Sequence, residues 1–220
     1  MDDWEERAAR AAERYEDGLA RLPDDPDERQ RQLTRMGNAA WAAGLSLLML
    51  GRRVEGETWL LRAADTYRES WTDAPPGSWG RPIGAMKSRL IAGDRAGARA
   101  DAGWALDADA AVSESPIGRY AAALAHLVLG EDEAVAPLAA TLASVDSIPS
   151  SVVDSVVALA ERDASAYAAA IRALVEDFEA RTEYLEDVPV ADTVLALQVL
   201  AADRGIDVSL ASPLLPADGL

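Results

Sequence analysis

Apolar residues along this chain recur at steps of three and four. Trp4, Ala8, Ala11, Tyr15, Leu19 and Leu22 do so in the first segment. Tyr167, Ile171, Leu174, Val175, Phe178 and Leu185 do so late in the chain, with Glu176, Asp177 and Glu179 facing away. Trp59, Ala63, Tyr67 and Trp71 form a stripe at four-residue steps. Such spacing gathers apolar side chains on one face and predicts amphipathic helices packed on a core. No stretch alternates apolar and polar residues for long, so no strand is predicted. Proline and glycine divide the chain into about ten helices: 2–22, 27–50, 54–72, 82–92, 94–107, 116–129, 131–144, 148–161, 163–186 and 189–204. The clearest internal break is Pro75-Pro76-Gly77-Ser78-Trp79-Gly80-Arg81-Pro82. Pro116, Pro137, Pro149 and Pro189 fall at or near helix starts, with Ser115 and Ser147 as candidate caps. The segment 205–220 carries Pro213 and Pro216 and is expected to be an extended tail.

A turn pattern recurs between helices. Leu50-Gly51-Arg52-Arg53, Ala92-Gly93-Asp94-Arg95, Leu129-Gly130-Glu131-Asp132 and Ala160-Glu161-Arg162-Asp163 each join an apolar helix end to a new helix through a short polar turn. Glycine there can take the left-handed conformation that closes a helix. A second echo, Pro82-Ile83-Gly84 and Pro116-Ile117-Gly118, has a spacing of 34 residues. That is the period of tetratricopeptide repeats, whose unit is helix–turn–helix. Over roughly residues 38–180 the chain resembles a tetratricopeptide-like α-solenoid in four degenerate units. The resemblance implies a single all-α helical-repeat domain over 1–220, its helices in antiparallel pairs, serving as a scaffold for protein contacts. The alternative is a non-repeating helical bundle whose turns all favour glycine and aspartate.

Near the C-terminus, Val188-Pro189-Val190-Ala191-Asp192-Thr193, Leu195-Ala196-Leu197, Asp203-Arg204-Gly205-Ile206 and Ser212-Pro213-Leu214-Leu215-Pro216 resemble the ends of helical immunity proteins of polymorphic-toxin systems, the group numbered forty-nine. That resemblance covers about thirty residues. It implies a non-enzymatic inhibitor of a toxin and supplies no catalytic motif.

Composition narrows the classes further. Among 220 residues there are 46 alanines, the strongest helix former, and no cysteine, which excludes disulfides, thiolate catalysis and cysteine-ligated metal. One histidine excludes a two-histidine metal site. The net charge is −17, and the basic residues are 20 arginines and a single lysine, Lys87. Scarce lysine, abundant aspartate and strong negative charge resemble proteins of salt-accumulating halophiles, where salt screens a negative surface that remains hydrated. The alternative is an ordinary acidic protein from a GC-rich genome. Residues 1–100 hold 17 acidic and 16 basic side chains, whereas residues 101–220 hold 21 and 5. The second half therefore disfavours nucleic acid and anionic membrane surfaces; a solvated halophilic face explains the acidic excess, and a basic protein partner is the alternative. The acidic start, Met1-Asp2-Asp3-Trp4-Glu5-Glu6, and the absence of an apolar run of ~20 residues point to a cytoplasmic location.

Catalytic templates fail on named residues. Lys87 follows Gly84-Ala85-Met86, which is no phosphate loop, and Gly77-Ser78-Trp79-Gly80 is one residue short of a hydrolase elbow. His126 lies in the apolar run Ala121–Leu129 and reads as a satisfied core or interface histidine. Asp107-Ala108-Asp109 lacks the remaining calcium-loop ligands. The expectation is a protein that catalyses nothing, holds no cofactor or metal and binds a protein partner. The rival readings are a small enzyme using carboxylate, Arg and Tyr chemistry, and an oligomeric structural subunit. The segment 71–82 combines rigid backbone, Trp79 as an aromatic anchor and Arg81 as a guanidinium, a pairing enriched at binding hot spots. Trp79 tucked between helix pairs is the alternative. Arg89, seven residues after Pro82, and Arg119, three after Pro116, complete the candidate partner-binding set.

Overall fold

The computed structural model describes residues 4–142, 148–217 and 219. The start of the expected first helix, the Ser147 cap, the last residues of the helix expected over 131–144, and tail positions Asp218 and Leu220 lie outside them. Among the described residues there are ten α-helices and no strand. They are α1 (Trp4–Ala20), α2 (Pro26–Met49), α3 (Arg53–Ser70), α4 (Gly80–Ile91), α5 (Arg95–Asp107), α6 (Pro116–Leu129), α7 (Val135–Leu142), α8 (Ser150–Glu161), α9 (Ala164–Glu179) and α10 (Asp192–Ala202). No helix among them is long and apolar enough to cross a membrane.

Local chemistry sets the boundaries. The Asp25 carboxylate accepts from the Glu28 amide at 2.9 Å, and Pro26 begins α2 with the fixed φ a first turn wants. Asp94 caps α5 through the Gly97 amide at 2.8 Å, and Asp163 caps α9 through Ser165 and Ala166, each at 2.9 Å. Ser115 occupies the cap position of α6 without making a side-chain cap bond.

The recurrent turn is one structure built four times. Gly51, Gly93, Gly130 and Arg162 all have positive φ, at 72, 76, 79 and 57°. In each turn this residue donates to a carbonyl three residues back, and the next residue donates to one five back. This pair of hydrogen bonds satisfies carbonyls a helix end leaves open. Gly205 repeats the arrangement after α10, with φ 72°.

Each helix packs on the next in sequence, and one apolar core runs from Ala11 to Leu214. In α2, Ala39 to Leu48 are buried on every side, as expected of a helix enclosed by neighbours. α2 and α3 meet closely at Gly44 and Gly56, where a Cβ on either would lie 2.9 Å from the other's carbonyl oxygen. α6 forms a second centre, Tyr120 to Ala125 all being buried, and it touches α4, α5, α7 and α8. α10 then returns to α4, six elements earlier, so contacts extend beyond sequence neighbours.

Three expectations about the late chain are revised. The helix expected over 163–186 stops at Glu179. Its last periodic residue, Leu185, is 54% exposed and lies off the buried stripe. There the chain turns across α1 and α2 instead: Arg7 donates to the Asp187 carbonyl, Arg14 pairs with Glu186, and the Tyr184 hydroxyl donates to the Phe178 carbonyl at 2.6 Å. The helix expected from residue 131 begins as a short 3₁₀ turn, and regular α7 starts at Val135, with Pro137 in its first turn where no amide is needed. The tail is irregular as expected, yet it is docked. Ile206, Val208 and Leu214 are buried, Gln198 donates to the Val208 carbonyl at 2.7 Å, and Ala191 donates to Leu214 at 3.0 Å.

Candidate functional site

A groove of about 500 Å³ lies where α2, α3 and α4 meet the start of α10. α2 contributes Thr34, Asn38 and Trp41, spaced four and three residues apart and so on one helical face. α3 contributes Tyr67, whose ring sits in a slot between two glycines. A Cβ on Gly37 of α2 would come 2.7 Å from the ring, and one on Gly84 of α4 would come 2.8 Å from it. Only a residue without a side chain admits the ring on both sides. The Tyr67 hydroxyl donates to Asn38 Oδ1 at 2.8 Å. Burial pushes its pKa far up, and the charges of Asp192 and Glu186 add to the effect. It therefore stays a protonated donor.

Lys87, the chain's one lysine, faces the groove from α4. Its Nζ lies 2.6 Å from Asp192 Oδ2 and 3.2 Å from Thr193 Oγ1. Both members of the Lys87–Asp192 pair are largely buried, and 105 residues separate them in sequence. Asp192 stands at the first position of α10, where the helix dipole favours a carboxylate.

Arg81 forms the floor. It is 7% exposed. Its Nε and Nη2 donate to Thr34 Oγ1 at 3.2 and 3.0 Å, and Nη2 also donates to Gln30 Oε1. Its Nη1 is buried and has no hydrogen-bond partner. Among the described residues no carboxylate pairs with it, and burial lowers its pKa from the ordinary guanidinium value. The rim carries Leu185, next to Glu186 and Asp187, which both take φ 57°. Two consecutive non-glycine residues in the left-handed region store strain.

Of the four residues singled out from sequence, only Arg81 lines this groove. Trp79 is buried. Its ring centroid is 5.6 Å from that of Trp71, which meets Trp104 edge-on at 5.4 Å. Gly118 of α6 leaves room for the Trp79 indole: a Cβ there would come 2.7 Å from its Nε1. The two Pro-Ile-Gly steps thus share a packing role, each presenting a glycine to an aromatic ring. Arg89, near the other end of α4, donates to Asp101 at 2.7 Å, Asp94 at 2.9 Å and Asp65 at 2.6 Å. Burial alone would lower its pKa, but the hydrogen bond and charge of Asp101, with Asp65 and Asp94, hold it above the ordinary value. Arg119 donates to the carbonyls of Ser113 at 3.1 Å and Glu114 at 2.7 Å, fastening the turn before α6. His126 lies 2.8 Å from Glu131 across the α6 turn.

Sequence reasoning passed over Tyr67, Asn38, Lys87, Asp192 and Leu185 as members of one site. The available signal was the isolation of Lys87 in a chain otherwise supplied with arginine. Among the described residues no group of three or more His, Cys, Asp and Glu side chains could hold a metal ion. In comparisons with known proteins, no family model, no curated protein and no solved structure matches this chain. The tetratricopeptide and immunity-protein resemblances rest on the residues quoted for them above.

Proposed function

We propose that this chain is a non-enzymatic, tetratricopeptide-like helical protein that binds a protein partner, with the groove over α2, α3 and α4 as its seat. The observation that carries the reading is the rim. Leu185 is held out to solvent on a strained connection that Arg7 and Arg14 tether to α1, beside the aromatic residues Trp41 and Tyr67. An exposed apolar anchor on fixed backbone, over a groove with a polar floor, suits a partner side chain. Of the four described non-glycine residues with positive φ, Glu186 and Asp187 stand side by side on this connection, and strain that a fold maintains at a surface connection points to use there. The helix–turn–helix order and the neighbour-to-neighbour packing support the solenoid arrangement, which α10 closes by crossing back to α4.

The partner is basic. The excess of carboxylates in residues 101–220 would steer a cationic protein and raise its association rate more than its affinity. The C-terminal resemblance makes a toxin the specific candidate, and the scarcity of lysine supports a halophilic, cytoplasmic setting. An enzyme reading has one observation in its favour, the convergence of Lys87, Asp192 and Tyr67. Lys87 and Asp192 hold each other, however, and Tyr67 stays protonated, which leaves no group poised for proton transfer.

The test is capture from native lysate with wild type and Leu185→Asp, both first shown to be folded. A basic protein held by wild type and lost from Leu185→Asp is the expected result. Equal capture by both removes the groove from the reading. Turnover of a metabolite by the purified protein, abolished by Asp192→Asn, overturns the non-enzyme reading itself.

A further inference from the structure

We propose that the floor of the groove is a carboxylate-binding subsite, with Arg81 as the recognising residue and an acidic side chain or C-terminal carboxylate of the protein partner as its occupant. Only the origin of that carboxylate rests on the protein-binding reading.

Of the three charged side chains that line the groove, two pair with each other and Arg81 is left over. Lys87 is matched by Asp192, and Glu186 by Arg14. Arg81 has only the neutral partners Gln30 and Thr34. The chain's other well-buried arginines are treated differently. Arg89 meets three aspartates, and Arg204 meets Asp132. A buried cation without a counter-charge is unfavourable and becomes favourable once an anion arrives.

A second, independent feature points the same way. Gly80, the first residue of α4, lines the groove beside Arg81, and Trp79 at the cap position makes no side-chain cap bond. An indole has a donor and no acceptor, so it cannot cap an amide. The Arg81 amide is taken by the Ser78 carbonyl at 3.1 Å and Pro82 has no N–H, so the start of this twelve-residue helix offers the Gly80 amide and the helix dipole beside the unpaired guanidinium. The helix start and the guanidinium both favour negative charge.

A guanidinium fork selects a planar, two-oxygen acceptor, and Trp41 and Ile83 supply apolar walls for the carbon that carries it. Nη1 itself is buried, so the carboxylate reaches it with a side-chain rotamer change at the floor, an ordinary event in binding. A partner that is basic overall can still insert one carboxylate, because long-range steering and local recognition act at different distances.

The experiment is calorimetric titration of the full chain at constant ionic strength with sodium benzoate, benzamide, and the dipeptide acetyl-Ala-Leu with a free or an amidated C-terminus. Benzoate and the free dipeptide should bind, and the two amides should not. Arg81→Lys, which keeps the charge and loses the fork, should weaken binding at least about tenfold, and Arg81→Gln should abolish it. Should either variant fail to fold, the Arg81 side-chain NMR signals of the wild type decide the matter. They should shift with benzoate and stay still with benzamide. Equal response to acid and amide, an equal response to chloride, or carboxylate binding that survives in folded Arg81→Gln overturns the subsite. Benzoate binding with the expected Arg81 dependence, in a protein that captures no partner, supports the subsite and defeats the protein-binding reading instead.

Discussion

The two ends of α4 each bury an arginine, and they surround it in opposite ways. Near the C-terminal end, Arg89 reaches Asp65 on α3, Asp94 in the following turn and Asp101 on α5. Asp101 is only 1% exposed and also accepts from Arg68 at 2.6 Å, and the Arg68 guanidinium lies 5.1 Å from the centre of the Trp104 ring. This knot ties α3, α4 and α5 together and leaves little charge unanswered. At the N-terminal end, Arg81 is just as deeply placed, but only amide and hydroxyl oxygens surround it. The contrast separates an arginine that holds the fold from one that awaits an anion. It also shows that a buried arginine discloses its role through its partners rather than through its burial.

The largest effect should come from the filled end. Asp101→Ala removes the shared partner of Arg68 and Arg89, and breaking a buried charge pair from one side costs about 3–5 kcal/mol. Urea unfolding should show that loss at an unchanged denaturant slope. Arg81→Met, by contrast, breaks no ion pair; it removes a cation without a counter-charge but leaves the Gln30 and Thr34 oxygens without their donor, and should cost about 1–3 kcal/mol, less than Asp101→Ala. Similar losses in the two variants would erase the distinction between the ends.

A pH titration loads the groove end. Burial raises the pKa values of Tyr67, Tyr120 and Tyr167. Their contribution to stability is present below the unfolded value of about 10, and is lost as pH rises past it toward the raised folded values. Tyr67→Phe should start about 1 kcal/mol less stable because the Asn38 bond is gone. It should then lose stability less steeply above pH ~10 than the wild type does. An identical slope, read from thermal melts across that range, would mean that burial does not hold the Tyr67 hydroxyl in its protonated form.

Salt acts on a wider contrast, between the halves of the chain. Asp101, Glu186, Asp192 and Asp203 each meet a cation contributed by residues 1–100. The five arginines of the second half do little for its own acids. Arg162 and Arg204 share Asp132, Arg119 and Arg172 bond carbonyls, and Arg181 lies over the Phe178 ring. The remaining carboxylates repel one another, and at 1 M salt that repulsion is screened within about 3 Å. The melting temperature should therefore rise from dilute buffer to molar KCl. A flat or falling curve would contradict the halophilic reading.

The order of ten helices was legible because its signals are local. Periodicity, prolines and the glycine turns all act within a few residues, and the helix expected over 116–129 coincides with α6. The stripe on α3 was half legible. Ala63 and Tyr67 are buried, while Trp59 and Trp71 are half-buried and finish their packing against Tyr15 and Trp104. Leu185 followed the helical rhythm by coincidence, because nothing in its neighbours announces that α9 ends at Glu179. The groove was hidden for another reason. Lys87 meets Asp192, Arg14 meets Glu186 and α10 meets α4 only after the chain has closed on itself, and such pairings leave no trace in local spacing. Arg81 and Arg89 look alike in sequence, since what separates them is three aspartates on other elements.

A small difference between two turn substitutions tests how the filled end is built. Asp94 reaches Arg89 and caps α5 from the turn that Gly93 makes possible, and Gly93 has φ 76°. Gly93→Ala forces a side chain into the left-handed region and should cost about 1–2 kcal/mol. The fourth copy of the turn already bears that strain, since Arg162 adopts φ 57°. Arg162→Gly relieves it, but it also frees the unfolded backbone and gives up a surface ion pair to Asp132, opposing effects of about 0.5–1 kcal/mol and about 0–1 kcal/mol. The two substitutions should therefore part company in urea unfolding, Gly93→Ala clearly destabilised and Arg162→Gly within about 0.5 kcal/mol of wild type. An Arg162→Gly loss as large as that of Gly93→Ala would mean that the Arg162–Asp132 pair, and not backbone geometry, secures the fourth turn. The Asp94–Arg89 contact would then support the second turn as well, and the filled end of α4 would owe its order to charge before conformation.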